Sequence, residues 1–289
     1  MANVIRADGA GGNPLLGVEG IDGTVEAYLR RVGEVFRVFG KQDSGCVAYG
    51  VRLPDTGERW FVKEAVTDRA QESLERGWAF HRAVRHPVIV PQVHRMAVWD
   101  SERTAVVTPW RDGEVLYHPG ERGSGDRTTT GSPMARFRSL PVHQVEQAFA
   151  DILDAHLAVE AAGHVAVDLY DGAVLYDFDV DELRLVDLDE YRPGPFVLGA
   201  DRLPGSRRFM APEEFERGAV IDIRTTVYVL GRTARLLLDA GDEERAWRGT
   251  GSQLAVLERA THPDPHQRFA GVGEFAAEWR AACGTPGSG

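Results

Sequence analysis

The sequence has few cysteines, no long apolar run and no excess of basic residues. Two cysteines in 289 residues, Cys46 and Cys283, are too few for a disulfide framework and fit a reducing compartment. No apolar run approaches the roughly 20 residues that cross a bilayer. The start of the chain lacks the basic residues and the apolar core of a signal peptide. These absences predict a cytoplasmic protein with no membrane partner.

The net charge of -11 argues against a broad nucleic-acid surface, because binding a phosphate backbone needs clustered Lys and Arg. We therefore expect no nucleic-acid partner. Nucleotide binding stays open, since it needs only a few donors and a metal ion. A chain of this length with 43% hydrophobic and 27% charged residues can form one two-lobed domain or two small domains.

The first part of the chain predicts a β-rich lobe with one helix. Residues 1–25 are rich in Gly and irregular, and we expect a flexible N-terminal segment. Apolar residues at helical spacing predict a helix over 69–85, which His86-Pro87 ends. Apolar alternation between turn signals predicts five antiparallel strands, at 35–39, 46–52, 59–64, 93–98 and 104–109.

The second part predicts helices, a short strand pair and a long loop. Residues 117–140 have little to bury and several helix breakers, so we expect a mobile insertion. Short strands are predicted at 173–178 and 182–187, and the Gly-rich tail 284–289 is expected to be flexible. The remaining pattern predicts four helices, at 142–162, 223–239, 251–261 and 271–282.

Two apolar runs each end on carboxylates, with the predicted strand pair between them. They are Val165-Ala-Val-Asp168 and Leu185-Val-Asp187-Leu-Asp189. Such runs can direct one acid at a substrate hydroxyl and another at a metal ion. With a glycine-rich stretch, a strand lysine and Ala211-Pro-Glu213 in the same order, the sequence resembles a bacterial eukaryotic-type Ser/Thr protein kinase over roughly residues 36–280.

The resemblance implies an α+β, bilobal protein-kinase-like fold. Its N-lobe, residues 26–110, would hold a five-stranded antiparallel sheet and one helix, and its C-lobe, residues 111–283, would be mostly helical. ATP and Mg²⁺ are the implied cofactors. The implied reaction is transfer of the γ-phosphate to a hydroxyl, most directly that of a Ser or Thr in a protein.

Gly40-Lys-Gln-Asp-Ser-Gly45-Cys-Val47 resembles the kinase Gly-rich loop, in which glycines let backbone N–H groups approach phosphate oxygens. Gln42 replaces the central glycine of the family pattern, and an ordinary hairpin turn would show similar glycines. The resemblance makes Gly40, Gly45 and Val47 cofactor-binding residues.

Lys63 matches the family lysine that holds the α and β phosphates and pairs with a helix Glu, which makes it both catalytic and cofactor-binding. Family spacing places that Glu at Gly77, where Glu75 and Glu72 are the nearest acids, and we choose Glu75. Without the resemblance, Lys63 fits an edge strand and either glutamate fits a solvated helix surface.

Val106-Val-Thr108-Pro-Trp-Arg111 resembles the hinge that receives adenine. Thr108 would stand at the gatekeeper position. The carbonyl of Pro109 and the N–H of Arg111 would meet the base edge, so side-chain identity matters little there.

Asp168 matches the family Asp that orients the attacking hydroxyl and accepts its proton. The preceding His-Arg of the family is Ala166-Val167 here. That Arg normally pairs with a phosphorylated activation segment, so we expect such control to be absent. The Lys two residues after the Asp is Tyr170, and the metal-binding Asn five residues after it is Ala173.

Asp187 matches the metal-binding Asp of the Asp-Phe-Gly motif, whose Gly is Asp189 here. Ala173 cannot coordinate Mg²⁺, which prefers carboxylate oxygens and retained waters. We predict that Asp171 or Asp189 replaces the lost ligand. The alternative is that Asp171-Gly172 is a turn and Asp189 a surface acid.

Three further residues have structural roles in the resemblance. Glu213 would pair with Arg268, and Asp222 resembles the helix Asp that ties down the catalytic loop. The stretch from Asp222 to Arg268 is short, which leaves a small-molecule acceptor open, such as a specialised metabolite or an antibiotic. Ala166 and Ala173 also fit a pseudokinase, a nucleotide-binding or scaffold module without turnover.

Overall fold

The computed structural model of the chain describes residues 12–40, 44–118 and 127–284. Its contacts divide the chain into two compact units. Unit 1 comprises Met1–Arg82 and Val90–Arg111, and unit 2 comprises Ala83–Ile89 and Asp112–Gly289. Within the described residues, no helix is both long enough and apolar enough to cross a membrane.

Unit 1 contains a six-stranded sheet and two helices among its described residues. In chain order the elements are β1 (Gly20–Ile21), α1 (Val25–Val32), β2 (Glu34–Phe39), β3 (Cys46–Arg52), β4 (Arg59–Ala65), α2 (Asp68–Ala83), β5 (His94–Val98) and β6 (Arg103–Pro109). The strand order is β1-β5-β6-β4-β3-β2, and β1 pairs with β5 in parallel while the other pairs are antiparallel. The five predicted strands and the predicted helix are confirmed, and β1 adds a parallel edge strand.

The segment before β2 is packed over its described part, residues 12–25, which corrects the prediction of a flexible N-terminus. Leu15 is fully buried in the unit 1 core, and the hydroxyl of Tyr28 donates to the carbonyl of Pro14 at 2.7 Å. Thr24 caps the N-terminus of α1 through its side chain. The sequence analysis missed α1, although Val25, Tyr28, Leu29 and Val32 recur at helical spacing.

The two faces of the unit 1 sheet carry different helices. Successive side chains of a strand point to opposite faces of the sheet, so the pairing of the strands decides which residues lie on the same face. Tyr49, Val51 and Val62 form an apolar core with residues of α1. Cys46 and Val106 pack with residues of α2 instead. The sheet therefore separates the surface that binds α1 from the surface that binds α2.

Unit 2 contains five helices and three small sheets among its described residues. In chain order the elements are β7 (Glu114–Val115), α3 (Pro133–Arg138), α4 (Val142–Ala161), β8 (His164–Val165), β9 (Val174–Asp177), β10 (Glu182–Leu185), β11 (Arg192–Pro193), β12 (Phe196–Val197), β13 (Val220–Ile221), α5 (Ile223–Leu237), α6 (Gly251–Ala260) and α7 (Val272–Cys283). The sheets are β10-β9-β7, β11-β8 and β12-β13. All four predicted helices are present, each within two residues of its predicted bounds.

The core of unit 2 forms around α4, whose apolar residues recur at helical spacing. Val145, Phe149 and Ile152 are fully buried, and the Phe149 ring lies 5.0 Å from the ring of Trp279 in α7. Burial of each large apolar side chain stabilises the fold by about 1.5–3 kcal/mol. A sheet-rich unit 1 and a helix-rich unit 2 give the α+β class that the sequence predicts.

Part of the predicted mobile insertion 117–140 is a packed helix. Ser132 caps α3, and Met134 and Phe137 of this helix are fully buried. Arg138 is buried as well and donates twice to the carbonyl of Leu236. The prediction was wrong for α3, because a six-residue helix between helix breakers leaves no periodic pattern. Residues 119–126 of the insertion lie outside the described residues.

Candidate active site

Lys63 lies on one face of the unit 1 sheet with residues of neighbouring strands. The register pairs Lys63 with Ala48 on β3 and with Val106 on β6, and it pairs Phe61 with Thr108. These positions differ by two along each strand, so their side chains share a face. Lys63 is only 8% exposed. The sheet thus places Lys63 and Thr108, both predicted to bind nucleotide, on one face.

Val47 lies on the opposite face of the sheet from Lys63. It pairs with Glu64 and packs against the core that contains Tyr49. The register therefore corrects the predicted cofactor role of Val47, and Ala48 stands beside Lys63 instead. The glycine pattern gives the spacing of residues along the chain. Strand pairing decides on which face of the sheet each of the following side chains lies.

Gly45 has a structural reason to be glycine. Its φ is +72°, and a Cβ at this position would lie 2.3 Å from Oγ1 of Thr67. That hydroxyl also accepts a hydrogen bond from the N–H of Ala70 in the first turn of α2. Gly40 is exposed, and residues 41–43, which include Gln42, lie outside the described residues.

Glu75 is exposed and is not paired with Lys63 in the described residues. It accepts a hydrogen bond from Nε2 of Gln71 at 2.8 Å, one helical turn earlier. The buried face of α2 carries Leu74 and Gly77 instead of an acid. The predicted partnership of Glu75 with Lys63 is therefore wrong, because a two-residue step along a helix moves a side chain to another face.

The chain leaves the unit 1 sheet at the predicted hinge. β6 ends at Pro109, and the N–H of Trp110 donates to the carbonyl of Arg59 at 3.1 Å. Arg111 follows as an exposed residue and is the last residue of unit 1. The hinge roles of Pro109 and Arg111 stay predictions.

An aromatic group that the sequence analysis missed lies beside the predicted nucleotide site. The ring of Phe61, two residues before Lys63 on the same face, lies 5.8 Å from the ring of Phe39. Trp110 lies 6.4 Å from Phe61 and 4.9 Å from Phe36. The two-residue spacing of Phe61 and Lys63 in a predicted strand was the sequence signal that could have placed both side chains on one face.

Asp168 and Asp187 both adopt the left-handed backbone conformation, with φ of 62° and 58°. This conformation is uncommon outside glycine and costs about 1–3 kcal/mol, which the surrounding structure must offset. Asp168 follows β8 and Asp187 follows β10, so each comes soon after a short strand. The side chain of Asp187 is exposed, and that of Asp168 is half-buried.

The two turns that carry these acids are linked within unit 2. The N–H of Val186 donates to the carbonyl of Ala173 at 2.9 Å. β11 pairs with β8, so the chain after Asp187 returns to the strand before Asp168. Burial, and in second place the charge of Asp168, raises the pKa of the buried Tyr191 hydroxyl. Tyr191 therefore lies near Asp168.

The segment that begins at Gly205 approaches Asp168 through its backbone. A Cβ at Gly205 would lie 3.4 Å from Oδ1 of Asp168 and 3.3 Å from Sδ of Met210. The φ of Gly205 is +142°, a conformation that favours glycine. A side chain at Gly205 would thus contact both the Asp168 carboxylate and Met210.

The turn before Asp168 is held by packing and by one hydroxyl. Ala166 and Val167, which replace the family His-Arg, are buried. The N–H of Ala166 donates to Oγ1 of the buried Thr226 at 3.0 Å. Val167 belongs to an apolar cluster, which consists of Val165, Val167, Leu198, Leu203, Met210 and Ile221. The apolar cluster fixes this turn against the segment after β12.

Asp222 caps α5 and does not hold the catalytic loop. Its Oδ1 accepts from the N–H of Arg224 at 2.8 Å, and its Oδ2 accepts from the Arg224 guanidinium at 3.0 Å. Thr226 makes the bond to the loop instead. The prediction for Asp222 was wrong, because the bond to the loop comes from Thr226 in the first turn of α5, four residues after the acid that caps the helix.

Asp171 is buried in an ion pair with Arg127. Nε of Arg127 donates to Oδ2 of Asp171, and Nη2 donates to Oδ1 at 3.1 Å. Burial opposes the charge of Arg127, but the bonds and the charge of Asp171 outweigh it and raise the pKa of Arg127. Both carboxylate oxygens are therefore taken by a cation. This contact corrects the prediction of Asp171 as a metal ligand.

The remaining candidate metal ligands are Asp187 and Asp189. Asp187 is exposed, whereas Asp189 is 4% exposed. Among the residues that the structure describes, no group of three or more His, Cys, Asp or Glu side chains could hold a metal ion. Mg²⁺ is commonly bound by one or two carboxylates together with substrate phosphates and waters, and the metal-binding roles of Asp187 and Asp189 stay predictions.

Glu213 and Arg268 form a buried bidentate pair, as predicted. The two guanidinium Nη atoms donate to Oε1 and Oε2 of Glu213 at 2.7 and 2.8 Å. The hydroxyl of Thr225 donates to Oε1 at 2.7 Å. The pair ties the segment that ends at Glu213 to the helices that follow it, and the prediction is confirmed.

No protein-family model and no curated protein matches this sequence. Among solved structures, the chain is similar to a variant of the PknI kinase domain from Mycobacterium tuberculosis, with a TM-score of 0.60 and 18% sequence identity. The match covers 88% of this chain and 96% of that domain. At this identity the likeness concerns the fold, so the chain has a protein-kinase-like α+β fold.

Proposed function

We propose that the chain is an ATP-dependent phosphotransferase that moves the γ-phosphate to the hydroxyl of a Ser or Thr in a protein. The observation that carries this proposal is the left-handed backbone at both Asp168 and Asp187, in two turns that the hydrogen bond from the N–H of Val186 to the carbonyl of Ala173 links. Such strain persists where the surrounding structure fixes it, and it concentrates at functional sites. The kinase-like fold supports the proposal by analogy.

Each retained residue has a role in this reaction. Asp168 orients the acceptor hydroxyl and accepts its proton. Lys63 holds the phosphates of ATP. Mg²⁺, when bound, neutralises phosphate charge, and Asp187 with Asp189 would hold it. Reactions of this kind depend mostly on positioning and charge, so few protein groups are needed.

A nucleotide-binding module without turnover is the second candidate. Three observations favour it: Ala173 offers no metal ligand, Asp171 is bonded to Arg127, and Glu75 is bonded to Gln71. A module of this kind needs Lys63 for phosphate binding but does not need Asp168 as a base.

Phosphate transfer from labelled ATP tests the proposal. The acceptors are the protein itself, a generic protein and a panel of hydroxylated small molecules, in parallel. We expect phosphoprotein, and a loss of about 10²–10⁴-fold in rate for Asp168→Asn, because the base is removed. Lys63→Met should abolish the thermal stabilisation by ATP while the protein stays folded. Transfer only to small molecules would reassign the acceptor.

The matched control is Asp181→Asn. Asp181 is also a left-handed Asp, with φ of 55°, but it lies in the turn between β9 and β10. This variant should keep wild-type activity. If the wild type yields neither ADP nor phosphoprotein, and Asp168→Asn changes nothing, the enzyme proposal fails. Stabilisation by ATP without turnover would then support the nucleotide-binding module.

A further inference from the structure

The ion pair of Arg127 with Asp171 joins two parts of unit 2 that are distant in sequence. Asp171 lies three residues after Asp168 and begins the short 3-10 helix Asp171–Ala173. Arg127 reaches it from the segment before α3, and its guanidinium carbon lies 3.7 Å from the centre of the Tyr117 ring. The side chains of Arg127 and Asp171 are 14% and 1% exposed. The contact is therefore a built, buried pair.

Loss of one partner of such a pair leaves an uncompensated buried charge. Without Arg127, the Asp171 carboxylate would have to turn outward to water or take a new partner within the turn. Either change would act on a turn with defined backbone bonds. The N–H of Ala173 donates to the carbonyl of Tyr170, and the N–H of Val186 donates to the carbonyl of Ala173, both at 2.9 Å. The second bond links this turn to the turn of Asp187.

We propose that Arg127 is a positioning residue of the candidate active site, which holds the buried Asp171 carboxylate in place so that the turn from Asp168 to Ala173 keeps its geometry. The proposal rests on the proposed function and deepens it. The planar guanidinium matches a carboxylate with two parallel bonds and stays charged at any physiological pH. Arg127 acts through Asp171 and touches no reacting atom in this role.

Three variants test the proposal: Arg127→Met, Asp171→Asn and the double variant. Met keeps an apolar side chain over Tyr117 but removes the charge. Asn keeps the shape of Asp171 and needs no cation. The matched control is Arg136→Met, since Arg136 also pairs with a carboxylate, that of Glu114, and lies 4.0 Å from the ring centre of Phe178.

For Arg127→Met we expect kcat to fall by about 10- to 100-fold, because small misplacement of a catalytic group costs that much. KM for ATP should stay within about twofold, since ground-state binding is not removed. The double variant should recover to within about threefold of Asp171→Asn, because the neutral amide leaves no buried charge. Arg136→Met should match the wild type. All rates are measured well below the melting temperature of each variant.

Hydrogen exchange supplies a readout that does not depend on turnover. In the protein without nucleotide, the amides of Ala173 and Val186 should exchange faster in Arg127→Met than in the wild type. The double variant should restore their protection. If exchange follows this pattern while the wild type transfers no phosphate, the proposed function fails and the hold of Arg127 on the turn stands.

Two results would overturn the proposal. One is wild-type kcat together with wild-type exchange in Arg127→Met. The other is a double variant that regains protection of Ala173 and Val186 but stays as slow as Arg127→Met. That second result would mean that Arg127 contacts the substrate directly.

Discussion

Replacement of Arg268 by Met tests the energetics of the buried pair with Glu213. The side chain of Arg268 is 0% exposed. It donates five hydrogen bonds, two to Glu213 and three to the carbonyls of His262, Pro263 and Arg224. Arg268→Met keeps much of the apolar stem and removes every donor.

The expected loss of stability is about 3–5 kcal/mol at neutral pH, the usual result of removing one partner of a buried pair. The cost of keeping the Glu213 carboxyl neutral gives a similar loss of stability. If the Glu213 carboxyl must be neutral in the variant, each pH unit above its ordinary pKa of 4.5 costs about 1.4 kcal/mol. At pH 7 this amounts to about 3.4 kcal/mol at most.

The sign of the pH dependence follows from the two environments of Glu213. In the wild type, burial alone would raise its pKa, but the bonds and charge of Arg268 outweigh burial and lower it. This contribution to stability is present above pH 4.5 and is lost as pH falls through the lowered pKa. In the variant burial raises the pKa, so the difference between variant and wild type shrinks as pH falls from 7 toward 5.

Guanidinium chloride unfolding at pH 7 and pH 5, followed by circular dichroism and Trp fluorescence, measures this difference. The matched control is Arg217→Met, which breaks the exposed pair with Asp201, whose side chains are 64% and 91% exposed. It should lose no more than about 1 kcal/mol. A loss below about 1 kcal/mol for Arg268→Met, or an equal loss at both pH values, would refute the reasoning.

Two further predictions concern residues near Asp168. Gly205→Ala should lower stability by about 1–3 kcal/mol, because the φ of +142° strains an L-residue, and an unchanged melting temperature would contradict this. Glu214 has its pKa raised to about 8, chiefly by burial. Because this pKa is raised, the contribution of Glu214 to the stability of the fold is complete below pH 4.5 and is lost as pH rises toward 8. The melting temperature of Glu214→Gln should therefore fall less than that of the wild type between pH 5 and 8. Parallel melting curves would rule this out.

Periodicity predicted the long elements of the fold, because each has enough residues to show a pattern. α4 and α5 span 20 and 15 residues and were predicted within two residues. α1 and α3 span eight and six and were missed. α3 is stabilised by burial of residues such as Phe137, which is a tertiary effect that no local pattern reports. The helical spacing of Val25, Tyr28 and Leu29 was a signal for α1 that was overlooked.

The order of motifs along the chain identified Lys63, Asp168 and Asp187 as candidates. What it could not supply was the direction and partner of each side chain. Val47 was misassigned through the register of one strand pair, and Asp171 through a contact with a residue 44 positions away. Contacts of this kind depend on the folded chain, so spacing in the sequence does not contain them.

The apolar cluster around Val167 has a consequence for how this protein can be controlled. In the protein kinases that the sequence resembles, an Arg at this position pairs with a phosphate on the neighbouring segment. Val167 has no charge with which to pair a phosphate, and it packs in the apolar cluster instead. A phosphate on the neighbouring segment would meet no cation at position 167, so phosphorylation there cannot stabilise this turn through an ion pair with that side chain.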